Sequence, residues 1–192
     1  DDYEKIYLYP NSHAGYYPGA KPTAMKVLFR KSDGRLLGAQ ALGEDNVDKR
    51  ISTFAAFLQM GATIDDLAEA EICYAPPFGS AKDPANFAGM VADDVLKGYM
   101  PICHWDTARD GFILDVREPM ELAVESVPDA VNIPLGQLRA RLSELPRDQE
   151  INVICRSGQR AYLATRILLQ NGFKAKNVSG GMLSLAHNYL LE

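Results

Sequence analysis

The sequence predicts two successive folds: an α+β unit made of a small antiparallel sheet plus helices, then an α/β unit built on a parallel sheet. Three observations carry this prediction. Strand-like runs and a hairpin signal come first, and helical periods follow them without returning to strands. After Tyr99–Asp106, a stretch that contains Pro101 and keeps no period, short apolar runs alternate with helical ones. No internal repeat or low-complexity tract interrupts either half.

The first half opens on Ile6-Tyr7-Leu8-Tyr9, a strand-like run. Lys26 to Arg30 reads as a second strand, Lys31-Ser32-Asp33-Gly34-Arg35 as a hairpin turn, and Leu36 to Gly43 as the return strand. From Asp48 to Met60 a helical period places Ile51, Phe54, Ala55 and Leu58 on one face, and Gly61 is a natural stop. Thr63 can cap a short helix through Asp65, Asp66 and Leu67. Pro84 to Lys97 is the last helix of this half, with Phe87, Val91, Val95 and Leu96 as its apolar residues and Gly98 ending it.

In the second half, Gly111 to Val116 is a buried strand, Met120 to Ser126 a short helix, and Ala130 to Pro134 another strand. Leu135 to Leu145 reads as helical. Ile151 to Ile154 is a strand, residues 161–171 form a helix closed by Gly172, and Ala175 to Val178 is a strand ending in Gly180-Gly181. Short apolar strands alternating with helices mean a parallel sheet covered on both faces. The expected domains are 1–98 and 107–190, with 99–106 as linker.

The chain has 192 residues, 47% hydrophobic and 23% charged, with net charge −5. The charge divides as −4 over residues 1–100 and −1 over 101–192. With no basic run and no basic–aromatic interleaving, nucleic acid is not an expected partner. No apolar stretch reaches the roughly 20 residues of a membrane span, and no signal peptide is visible, so no membrane association is expected. Cys73, Cys103 and Cys155 are widely spaced and odd in number. That pattern suits a reducing cytoplasm better than a disulfide framework or a zinc site. His13, His104 and His187 share no ligand spacing, so no metal is expected.

The most informative residues are Cys155-Arg156-Ser157-Gly158-Gln159-Arg160. They join the strand ending at Ile154 to a helix. Loop N–H groups can converge on a sulfur there, and the helix dipole favours negative charge. Arg156 and Arg160 add positive charge beside a thiolate. A buried structural cysteine is the bland alternative. A cysteine phosphatase needs a cysteine, five intervening residues and an arginine; that count reaches Ala161, with Arg160 one residue too early. The shorter ring suits one sulfur atom better than a phosphate.

Taken in order, Leu114-Asp115-Val116-Arg117-Glu118-Pro119, Pro128 to Pro134, Cys155 to Ala161 and Gly180-Gly181 resemble the motif series of rhodanese-like sulfurtransferases, over roughly residues 101–190. The resemblance implies transfer from a sulfane sulfur donor to a thiol acceptor through a Cys155 persulfide. Arg156 and Arg160 would draw in anionic donors and steady the loop formed with Ser157, Gly158 and Gln159. Asp115 and Arg117 read as an ion pair bracing the loop rather than as substrate contacts. Where rhodanese domains commonly carry Gly-His-Ile-Pro-Gly-Ala, this chain has Glu125-Ser126-Val127-Pro128-Asp129-Ala130.

His13 to Ala20, the hairpin Lys26–Gly43 and above all Tyr74-Ala75-Pro76-Pro77-Phe78-Gly79 resemble the C-terminal dimerisation domain of flavin-dependent pyridine-nucleotide disulfide reductases, in the coenzyme A-disulfide reductase branch. Some members of that branch end in a rhodanese domain, the order present here. The resemblance implies a homodimer through residues 1–98. Tyr74, and either Tyr16 or Tyr17 with Tyr16 preferred, would reach the partner's reductase site. It also implies FAD, NAD(P)H and coenzyme A in the full-length enzyme, with none bound by this portion. No Gly-x-Gly-x-x-Gly fingerprint occurs. The chain is therefore expected to be the C-terminal part of a larger enzyme. The competing reading is a catalytically idle binding and dimerisation module.

The remaining candidates read as structural. Asp65-Asp66 and Asp93-Asp94 are expected on solvated helix faces, and Cys73 in a buried structural position. Cys103 is a candidate for oxidation or for accepting sulfur from Cys155.

Overall fold

The computed structural model describes residues 2–191, with side chains as far as residue 186, so the ring of His187 lies outside the described residues. The chain divides into two compact units between Lys97 and Gly98.

The first unit holds β1 (Tyr3–Leu8), β2 (Thr23–Arg30) and β3 (Leu36–Gly43) in an antiparallel sheet of that order. Alternation along β2 buries Met25, Val27 and Phe29, and Val27 sits opposite Ile6 and Ala39. Three helices follow: α1 (Val47–Gln59), α2 (Ile64–Glu69) and α3 (Pro84–Leu96). α2 starts on a capping box in which Thr63 and Asp66 exchange hydrogen bonds. That gives Asp66 a structural use, and the two bonds from Thr63 hold its carboxyl below the usual carboxylate range. α3 starts the same way, with Asp83 as cap, Asn86 as reciprocal partner and Pro84 in the first turn.

Two helix faces differ from the periodic expectation. On α1 the buried residues are Arg50 and Phe54, whereas Ala55 is exposed. On α3 the buried face is Ala85, Ala88, Gly89 and Ala92, and Phe87 is exposed. The cause is the close approach of α2. A side-chain carbon at Gly89 would stand 2.4 Å from the Ala68 nitrogen and 2.6 Å from the Ile64 carbonyl oxygen. Only small residues allow that contact, so size rather than hydrophobicity selects the inward face.

The second unit runs β4 (Ile102–Cys103), α4 (Trp105–Ala108), β5 (Phe112–Asp115), α5 (Pro119–Leu122), β6 (Val131–Asn132), α6 (Leu135–Leu138), a 3₁₀ turn (Leu142–Glu144), β7 (Ile151–Ile154), α7 (Gln159–Gln170), β8 (Ala175–Val178) and α8 (Gly181–Leu191). The sheet order is β4-β8-β7-β5-β6, and every pairing is parallel. Successive residues of β5 and β7 feed opposite faces. Leu114, Ile151 and Val153 join one core with Leu138, Ala164 and Leu168, while Ile113 and Ile154 join another with Trp105, Val178 and Met182. Residues 99–106, expected as a linker, instead supply β4 and the start of α4. Asn177 donates its backbone N–H to the Pro101 carbonyl, and the Trp105 side chain is buried. A two-residue strand is too short to show a period, which is why the sequence reads there as a connection.

Candidate active site

β7 delivers Cys155 to the C-terminal edge of the parallel sheet, at the mouth of α7. Ile151, Val153 and Cys155 alternate into the same core, which leaves Cys155 1% exposed. Its Sγ receives two backbone N–H groups, from Gly158 at 3.2 Å and from Ala161 at 3.3 Å. These are donors at the first turn of a twelve-residue helix, and the helix dipole adds to them. The arrangement favours a sulfur carrying negative charge. Gly158 caps α7 with φ +93°, a region that side-chain-bearing residues rarely enter.

A second helix supports the loop from behind. Met182 and Leu183 donate their N–H groups to the carbonyls of Cys155 and Arg156 at 2.9 Å each. The Trp105 indole donates to the Gly181 carbonyl at 2.9 Å, and Asn177 Nδ2 donates to the Gly158 carbonyl at 3.1 Å. Gly181, at φ +56°, lies so close that a side-chain carbon there would stand 2.2 Å from the Cys155 carbonyl oxygen. The Gly180-Gly181 pair and the cysteine loop are thus in direct contact, though 25 residues apart in sequence.

The charged residues pair off around the thiol. Arg160 grips Glu121 of α5 through both terminal nitrogens, at 2.6 and 2.7 Å. The Arg160 guanidinium holds the Glu121 carboxyl down to about 2, so it stays ionised throughout the neutral range. Asp115 and Arg117 form a buried pair closed by bonds of 2.7 and 3.0 Å, and Arg117 also donates to the Glu125 carbonyl. The Asp115 bonds push the guanidinium of Arg117 further upward. This pair fixes the 117–125 segment beside the thiol loop. Arg156 and Gln159 are exposed, and Ser157 and Gly158 complete the ring.

Residues 103–187 match the rhodanese-like domain, and residues 2–85 match the pyridine nucleotide-disulphide oxidoreductase dimerisation domain. The chain joins these two domains. It is 41% identical over 91 residues to a coenzyme A disulfide reductase of Staphylococcus epidermidis, covering 47% of this chain and 21% of that protein. A Staphylococcus aureus coenzyme A disulfide reductase is 37% identical over the same length. Among solved structures, the reduced Bacillus anthracis CoADR-RHD superposes with a TM-score of 0.92 at 41% identity, over 97% of this chain and 35% of that one. An NAD-dependent persulfide reductase from A. fulgidus superposes at 0.86 and 37% identity, over 95% and 34%. The chain thus spans about a fifth of the length of the curated relatives and about a third of these structures.

The rhodanese-like domain keeps its fold through the divergent segment 125–130. Val127 fills the core, and Asp129 takes φ +61° where the family pattern has glycine. Aspartate tolerates that region better than most residues.

In the dimerisation domain, Ala14 donates to the Gly79 carbonyl at 2.9 Å, joining the segments that carry Tyr16, Tyr17 and Tyr74. Tyr16 is 79% exposed; Tyr17 and Tyr74 are about half exposed, and Tyr17 stands edge-on to His13. Beneath them lies Arg50, which donates to the Ser12 carbonyl at 2.8 Å and pairs with Asp83 at 3.3 Å.

Two cysteine expectations are corrected. Cys73 is exposed, because the stretch after α2 runs along the surface without a strand or helix partner. Cys103 belongs to β4, two strands from β7, and packs on the Ile154 face of the sheet, opposite the core that holds Cys155. Its thiol contacts Asn152 Oδ1 at 3.4 Å and is pushed up to about 12 by burial, which makes it a poor sulfur acceptor. Among the described residues, no cluster of three or more His, Cys, Asp or Glu is placed to hold a metal ion.

Sequence reasoning missed Glu121, Trp105, Asn177 and Arg50. Glu118 and Glu121 are spaced as a capping box around Pro119, and that signal could have drawn attention to Glu121. Nothing local announces a buried arginine on α1.

Proposed function

We propose that this chain is the C-terminal part of a flavin-dependent, NAD(P)H-using coenzyme A-disulfide or polysulfide reductase, acting in the cytoplasm. Its rhodanese-like domain carries sulfane sulfur on Cys155. The observation that carries this reading is the Cys155 Sγ, held at the helix mouth by the Gly158 and Ala161 N–H groups. Attack of the Cys155 thiolate on a donor R–S–S⁻ forms the Cys155–S–S⁻ persulfide and breaks the donor S–S bond, releasing R–S⁻. The same two N–H groups can then share the charge of the persulfide. A thiolate acceptor reverses the step and takes the outer sulfur. At the position where a phosphatase loop needs an arginine stands Ala161, fully buried, which offers only its backbone N–H.

The dimerisation domain pairs two subunits and lends Tyr74 and Tyr16 or Tyr17 to the partner's reductase site. Exposed Tyr16, Tyr74 and Phe78 support this role. FAD and NAD(P)H belong to segments outside this chain. The sequence carries no Gly-x-Gly-x-x-Gly turn, and the turn after β7 is committed to the thiol.

Transfer of sulfur from thiosulfate to cyanide by this chain tests the reading. Cys155→Ser is expected to fall to the uncatalysed background, and equal rates in the two proteins would refute a sulfurtransferase. Sedimentation at micromolar concentration is expected to give a dimer; a strict monomer would remove the pairing role from residues 1–98.

A further inference from the structure

The loop around Cys155 contains two arginines, but only one offers its charge. Arg160 has both terminal nitrogens occupied by Glu121, at 2.6 and 2.7 Å, and Glu121 is itself anchored by the Glu118 N–H at 3.1 Å. Arg117 is closed on Asp115 in the same way. Arg156 is exposed and pairs with no side chain among the described residues. Near the thiol, the formal charge that can answer an incoming anion is therefore one positive unit.

This balance separates two kinds of sulfur donor. Thiosulfate approaches as a dianion and departs as one: S–SO₃²⁻ plus Cys155–S⁻ gives Cys155–S–S⁻ plus SO₃²⁻. An organic persulfide approaches as a monoanion: R–S–S⁻ plus Cys155–S⁻ gives Cys155–S–S⁻ plus R–S⁻. In both steps the outer sulfur changes partner, one S–S link forms as the donor link breaks, and the leaving group keeps the bonding pair. The dianion carries one more negative charge than the single free guanidinium matches.

We propose that Glu121 is a specificity-determining residue of the sulfur-loading step. By occupying both Nη atoms of Arg160, it withholds that charge from dianionic donors and suits the site to monoanionic organic persulfides. This inference rests on Cys155 being the sulfur carrier. Glu121 acts through Arg160 and does not itself touch the donor.

The experiment measures rate constants for loading Cys155 with thiosulfate and with cysteine persulfide, whose ammonium and carboxylate cancel to leave one net negative charge, reading sulfur on the desalted protein as thiocyanate after cyanide treatment. Wild type, Glu121→Gln and Glu121→Asp are compared in the full chain. The glutamine variant is expected to move the ratio of the two constants about fivefold toward thiosulfate, the size of one unit-charge interaction at about 4 Å in a water-like surrounding. The aspartate variant keeps the negative charge and is expected to hold the ratio within about twofold. An unchanged ratio in Glu121→Gln, or the same shift in both variants, overturns the proposal while leaving Cys155 as carrier. Loading that persists in Cys155→Ser overturns the carrier reading and this inference with it. Should Glu121→Gln fail to fold, salt dependence in the wild type decides. Thiosulfate loading is expected to slow less than about threefold between low salt and 0.2 M, and a loss beyond tenfold would reveal a second free arginine.

Discussion

Gly181→Ala is expected to destabilise the rhodanese-like domain by about 3 kcal/mol and to cut sulfur transfer at least about a hundredfold. Two costs combine. The residue sits at φ +56°, where an L side chain costs about 1–2 kcal/mol. A β-carbon would also stand 2.2 Å from the Cys155 carbonyl oxygen and 3.0 Å from the Arg156 carbonyl, so backbone must move on one side or the other. Overpacking of that kind adds roughly 1–3 kcal/mol. The atoms displaced are the carbonyls that accept from Met182 and Leu183, and these bonds seat the loop that aims Gly158 and Ala161 at the sulfur. Activity should therefore fall further than residual stability alone accounts for. Trp105 is the single tryptophan and donates to the Gly181 carbonyl, so urea unfolding followed by its fluorescence reads this domain directly. Gly136→Ala is the control, with open space around it, and should stay within about 0.5 kcal/mol of wild type. A Gly181→Ala protein as stable and active as that control would show that the helix behind the loop yields freely.

What the sequence disclosed depended on how local each signal was. The strands Ile151–Ile154 and Ala175–Val178 run as read, because each short segment starts and ends on apolar residues and is bounded by polar or glycine turn residues. The hairpin at Gly34, the cap at Thr63 and the helix start at Pro84 were legible for the same reason: each depends on residues within a few positions. The thiol loop was legible as a motif, and the contact between Gly180-Gly181 and Cys155 gives its spacing a steric cause. Features made by distant neighbours were not legible. Phe87 faces outward because α2 presses on Gly89, a contact with no trace in the 84–97 pattern. Arg50 is buried because Ser12 and Asp83, each more than 30 residues away, receive it. The two arginines of the loop read as two charges in sequence. Only the fold brings Glu121, 39 residues earlier, onto one of them.

Arg117→Met is expected to cost about 3–5 kcal/mol, most of which Asp115→Leu in the same molecule should restore. In the single variant, Asp115 keeps its carboxylate at 1% exposure with its guanidinium partner gone, leaving only the N–H of residue 117 from that pair. An uncompensated buried charge is what makes such a change severe. The second substitution removes that charge and replaces a desolvated ion pair with apolar contacts, an exchange that is often close to neutral. The coupling between the two positions should therefore be large and of opposite sign to the single losses. Recovery will fall short of complete, because Arg117 also donates to the Glu125 carbonyl and no apolar side chain replaces that bond. Asp115 lies beside Ile154 in the sheet, and Val116 donates to the Ile154 carbonyl at 3.0 Å, so the strand end carrying Cys155 is next to the disturbance. Urea melts followed through Trp105 give all three stabilities. Additive losses would mean that the pair does not act as a unit. A double variant that regains stability but not sulfur transfer would assign Arg117 a part in holding the 117–125 segment, and with it Glu121, in place against Arg160.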